Sequence, residues 1–226
     1  MRRAETTLRC PPMKLHLEAA TPAFPVPDDR RAYAPPGARL SSGRMTRTLY
    51  LPPFRVDVTR RPGVARLVTD VALARAMVRA LGAAGAPSPT SVGLILSDDR
   101  ELTALNRVAM AVDGPTDVLS FPLLPPSMFP AHPGQDPGLR ARRSGPAFAL
   151  PPGRRVHLGE VVVSVERAIE QAEAGRGGQT GDRRWSPADE LRLLVTHGVL
   201  HLCGWDHTEP EEEGAMRALE GRLLGA

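Results

Sequence analysis

Ser186-Pro-Ala-Asp-Glu-Leu-Arg-Leu-Leu-Val-Thr-His-Gly-Val-Leu-His-Leu-Cys-Gly-Trp-Asp-His207 holds a complete helix with its start and stop signals. Ser186 is a capping side chain, Pro187 suits a first helical turn, and Asp189 and Glu190 lie near the positive end of the helix dipole. Gly204 can take the left-handed conformation that ends a helix. Within this frame His197 and His201 are four residues apart, so one helix face carries both imidazoles, and the reversal at Gly204 can return His207 to the same point. Three of the six histidines of the chain fall in the eleven residues 197–207. Three neutral imidazoles leave one tetrahedral position of a zinc ion open for water or substrate, as in catalytic rather than closed structural sites. Core or surface histidines without a metal are the alternative reading, and three at this spacing argue against it.

The pattern H-x-x-x-H-x-x-G-x-x-H matches the zinc-ligand pattern of metzincin peptidases, with one difference. Those enzymes carry a glutamate beside the first ligand that takes a proton from metal-bound water, and position 198 is glycine. A zinc peptidase therefore lacks its base here. Cys203 lies two residues past His201, off the ligand face, and is expected to be a small buried side chain.

Outward from this segment, order and disorder alternate. Residues 1–45 contain seven prolines, eight basic and four acidic groups and no sustained period, and are expected to be disordered. Met45, just before the first regular segment, is a candidate alternative start. The remaining residues carry twenty-one basic and twenty-one acidic groups, so the net charge of +4 belongs to the leading segment and a polyanion site must come from local clustering or a metal. Two cysteines give no disulfide framework, and no apolar run approaches the roughly 18 residues of a membrane span. An Arg-rich start without an apolar stretch argues against secretion and fits a cytoplasmic setting.

From Tyr50 the pattern predicts a strand around Phe54–Val58, a helix from Val71 to Leu81 capped by Asp70 and ended by Gly82, and a strand over Ser91–Leu96. A helix from Ser97 to about Met110 and a strand over Asp117–Phe121 follow. Residues 122–155, with nine prolines, five arginines and one acid, predict a mobile loop, either a solvated insertion or a basic flap over RNA. Val156–Ser164 is a strand, and its run of three valines predicts burial on both faces. A helix spans Val165–Ala174. A capping box at Thr208–Glu211 opens the last helix, to about Leu223, whose glutamates 209, 211, 212 and 213 are expected to be solvated. Alternating strands and helices give an α/β (α+β) class with a small sheet.

Three stretches together resemble one family, the YbeY endoribonucleases or rRNA maturation factors. They are Leu105-Asn106 with Pro115-Thr-Asp-Val-Leu-Ser-Phe-Pro122, then Leu158-Gly-Glu-Val-Val-Val-Ser164, then His197-Gly-Val-Leu-His-Leu-Cys-Gly-Trp-Asp-His207. The resemblance covers roughly residues 50–224 apart from the proline-rich insertion, leaving 46–226 as the catalytic domain. It implies a compact single domain with a four-stranded mixed sheet and about five helices. It implies a metal-dependent, single-strand-specific endoribonuclease that matures the 16S rRNA 3′ end and serves ribosome quality control at the small ribosomal subunit. His197, His201 and His207 would hold one Zn2+ ion with water as the fourth ligand. The family commonly has arginine where this chain has Met110, usually Gly-Asp where it has Gly159-Glu160, and often Tyr where it has Trp205. Arg107, one turn earlier, could reach the same phosphate pocket. Asp206 is the nearest candidate proton acceptor, although an aspartate beside a ligand also serves to orient its turn. Thr116, Asp117, Ser120 and Asn106 could line a groove or act as turn caps. A non-catalytic, zinc-containing ribosome assembly factor is the reading from a different class.

Overall fold

A computed structural model describes residues 45–132, 155–174 and 185–225. The leading segment expected to be disordered, up to residue 44, and most of the insertion, residues 133–154, lie outside the described residues.

Among the described residues five strands, β1 (Met45–Leu51), β2 (Phe54–Arg60), β3 (Thr90–Ser97), β4 (Val118–Pro122) and β5 (Val156–Ser164), form one mixed sheet in the order β1-β2-β3-β5-β4. β2, β3 and β5 run parallel, and the outer strands are antiparallel to their neighbours. Five helices are described: α1 (Asp70–Ala83), α2 (Asp99–Met110), α3 (Val165–Glu173), α4 (Pro187–Leu202) and α5 (Pro210–Leu224).

The expected four-stranded sheet gains β1. This segment is mostly exposed and lacks the apolar alternation of a core strand; its cross-strand partners stabilise it instead. The Thr46 and Thr59 hydroxyls lie 2.8 Å apart, and Thr48 Oγ1 donates to Asp57 Oδ1 at 2.6 Å.

Several helix boundaries shift by a residue. Thr69, not Asp70, caps α1, because its hydroxyl can accept from the Ala72 N–H while Asp70 pairs with Arg60 at 3.0 Å. Asp98, not Ser97, caps α2 by accepting from the Glu101 N–H at 2.9 Å. α5 starts one residue later than the expected box, with Glu209 as N-cap and the Glu212 carboxylate accepting from its N–H at 3.4 Å. Glu212 is buried, against the expectation of a solvated cluster, because its position on α5 shares the packed face with Met216.

The first part of the insertion also departs from a mobile loop. Pro126–Met128 is a 3-10 turn, Phe129 is fully buried in the core, and the His132 ring stacks on Trp205 with centroids 4.0 Å apart. Aromatic burial anchors this stretch where proline content alone predicted mobility.

The core forms where α1 meets β1 and β2 and where α4 meets β4 and β5. Val56 and Val58 pack with Leu73 and Met77, while Leu191, Val195, Val199 and Leu202 supply the apolar stripe of α4. α4 therefore lies fixed against the sheet with its histidine-bearing turns at its C-terminal end. Among the described residues no helix is long and apolar enough to cross a membrane.

Candidate metal centre

The ligand helix begins as its sequence predicts. The Ser186 hydroxyl accepts from the Asp189 N–H at 3.2 Å, and the Asp189 carboxylate accepts from the Ser186 N–H at 3.2 Å, a complete capping box. Gly204, at φ +83°, then turns the chain in the left-handed region, and Pro126 lies where a Cβ at 204 would stand.

These two features bring His197, His201 and His207 together, with one nitrogen of each within 4.8 Å of the others. The outward nitrogens of the first two are held. His197 Nδ1 lies 2.7 Å from Glu220 Oε1 on α5, and His201 Nδ1 lies 2.9 Å from the Trp205 carbonyl. A carboxylate and a carbonyl can only accept, so in neutral rings both protons sit on Nδ1 and the Nε2 lone pairs turn inward. Those two Nε2 atoms are 3.0 Å apart. Two lone pairs at that separation repel, and a cation shared between them removes the conflict. Burial, then the neighbouring imidazoles of His197 and His207, push the His201 pKa well below 6.5, keeping it in the neutral form a metal requires. The donor set of three imidazoles with oriented tautomers fits a zinc ion.

Gly198 is set by packing. One residue on from His197 is about 100° round the helix, which aims position 198 at the sheet. A Cβ there would stand 2.5 Å from Val161 Cγ1 and 3.0 Å from Val118 Cγ2, and the Ser120 hydroxyl donates to the Gly198 carbonyl at 2.8 Å. A glutamate side chain has no room at this place, so the peptidase base is missing for steric as well as chemical reasons.

Asp206 lies on the ligand turn, but its oxygens are engaged by neighbouring residues of that turn. Oδ1 accepts from the His207 N–H at 2.8 Å and Oδ2 from the Thr208 hydroxyl at 3.0 Å. Arg107 is exposed at the end of α2 and pairs with Asp113 at 2.6 Å, away from the histidines in its polar contacts. Asn106 Nδ2 donates to the Gly114 carbonyl at 3.0 Å, and Asp117 accepts from the Val118 N–H and from Gln171 Nε2. These residues, with Ser120, brace the approach to β4 and its contact with α4. Cys203 is buried in the core, with its thiol pushed up to about 12 by burial, in keeping with the packing role expected of it.

The sequence reading missed Glu220. Its sequence signal is a charged side chain on the helical stripe it shares with Met216, Leu219 and Leu223.

Residues 66–226 match the family described as Endoribonuclease YbeY. This chain belongs to that family. Among the similar relatives, the Endoribonuclease YbeY of Roseiflexus castenholzii is 33% identical over 172 residues, 76% of this chain and 91% of the relative. That of Salinispora tropica is 39% identical over 172 residues, 76% of this chain and 94% of the relative. That of Symbiobacterium thermophilum is 38% identical over 144 residues, 64% and 76% of the two chains. The mixed sheet, the five helices and the three clustered histidines are thus the architecture of this chain as a member of the YbeY family, and the match reaches past all three histidines.

Proposed function

We propose that residues 46–226 form a zinc-dependent endoribonuclease that cuts single-stranded rRNA at the small ribosomal subunit, in late 16S 3′-end maturation and ribosome quality control in the cytoplasm. The observation that carries this reading is the convergence of three imidazoles, two with Nδ1 already engaged, in a chain of the YbeY family.

His197, His201 and His207 would hold the ion. When bound, zinc supplies a Lewis acid for a phosphoryl oxygen and brings the pKa of coordinated water toward about 7. The protein's own groups supply the frame. Glu220 and the Trp205 carbonyl orient two rings, and Asp206 fixes the turn that delivers His207, a positioning rather than a proton-accepting use of its oxygens. Arg107, exchanging Asp113 for a phosphate, is the cation nearest in sequence to the family arginine replaced by Met110, and we assign it the RNA backbone contact.

A non-catalytic assembly factor is the second reading, and the pairing of Arg107 with Asp113 beside Met110 favours it. Incubating the purified protein with single-stranded and duplex rRNA fragments separates the two. Cleavage of the single strand alone, abolished in His197→Ala and weakened roughly 10- to 100-fold in Arg107→Ala, supports the nuclease. Intact RNA bound by metal-loaded protein supports the assembly factor.

A further inference from the structure

The packed face of α5 is Glu212, Met216, Leu219, Glu220 and Leu223, all brought to one side by helical spacing. Glu220 is only 8% exposed, beside Met216 and Leu219 in the core. A carboxylate in that setting needs a cationic or strongly polar partner, because desolvation disfavours its charge. Its hydrogen-bond partner is the Nδ1 of His197, 23 residues earlier, at 2.7 Å. Among the described residues no arginine shares it: the arginines of α5 nearest in sequence are Arg217, paired with Glu213, and Arg222, exposed. Helix α5 therefore delivers one buried anion to the back of one ligand ring.

We infer that Glu220 is the positioning residue of the metal centre, holding His197 in its Nδ1–H tautomer with Nε2 turned toward His201 and His207. The inference rests on the metal-centre reading and adds to it a role for the last helix. A carboxylate behind an imidazole fixes the ring, selects the tautomer and makes the opposite nitrogen a better donor. His201 obtains the same orientation from a backbone carbonyl of its own turn, which no substitution can remove. Among the described residues Glu220 is the side chain that hydrogen-bonds a ligand ring from behind, and it comes from a different helix. Loss of α5 packing and loss of metal affinity should accordingly coincide.

The test uses the full chain. Zinc affinity is measured by competition with a coloured chelator for the wild type, Glu220→Ala and the near-isosteric Glu220→Gln. Nitrogen-15 NMR of the metal-free protein reads the His197 tautomer, a signature that packing alone does not set. Glu220→Ala is expected to bind zinc 10- to 100-fold more weakly and to shift His197 toward the Nε2–H form. Glu220→Gln, whose amide oxygen still accepts from Nδ1–H, should keep the tautomer and recover part of the affinity. Unchanged affinity and tautomer in Glu220→Ala, with the wild type binding zinc, would overturn the role of Glu220. A wild type that binds no zinc would overturn the metal centre itself, a distinct outcome.

Discussion

Adding one methyl group at position 198 tests how tightly the ligand helix is seated. The nearest atoms are branched side chains on the sheet, Val161 and Val118, rather than flexible tips. Gly198→Ala is expected to lower stability by about 1–3 kcal/mol, read as a lower urea midpoint at unchanged slope. A second residue-scale expectation concerns His157. The hydrogen bond to Glu160 at 3.0 Å raises its pKa above 6.5, so the folded chain holds that proton more tightly than the unfolded one. The stability this supplies is complete below about pH 6.5 and is lost as pH rises through the higher native value. Urea midpoints of wild type and Glu160→Gln should therefore differ most near pH 5.5 and converge near pH 8.5. The three histidines were legible because spacing on a helix fixes direction. Glu220 was not, because its partner is 23 residues away and only packing of α5 brings them together.

At the scale of elements, local chemistry announced α4 most clearly, and its capping box is present with both hydrogen bonds. Ser186→Ala is expected to cost about 1 kcal/mol, visible in thermal unfolding. β5 was legible from its run of valines, buried as a strand with neighbours on both sides is. β1 was hidden because an exposed edge strand needs no apolar alternation, and its hydrogen bonds to β2 leave little trace in sequence. The cap of α1 was misplaced by one residue because Thr69 and Asp70 both suit the position; the ion pair of Asp70 with Arg60 decides between them. Phe129 shows the same limit, since composition marked its surroundings as loop while one aromatic side chain belongs to the core.

For the whole molecule, every buried apolar side chain of the described residues lies between Phe54 and Leu219, within the part that contains the histidines. A chain beginning at Met45 is expected to keep its unfolding midpoint and its zinc affinity, measured side by side with the 226-residue protein. The α/β alternation was readable along the chain, whereas the strand order β3-β5-β4 was not, because β4 precedes β5 in sequence yet lies at the sheet edge beyond it, and local sequence does not encode that crossover. We propose that the three histidines hold the ion on which the nuclease activity of this chain depends, a proposal that joins fold, family and chemistry. Its most direct test is a zinc titration of metal-free protein, with cleavage of a single-stranded RNA carrying a small-subunit rRNA 3′ end followed at each point. Cleavage should rise with occupancy, level off at one ion per chain and be absent from His201→Ala. Full occupancy of the histidine site without cleavage, or cleavage that persists in His201→Ala, would contradict a metal-dependent nuclease centre at these histidines.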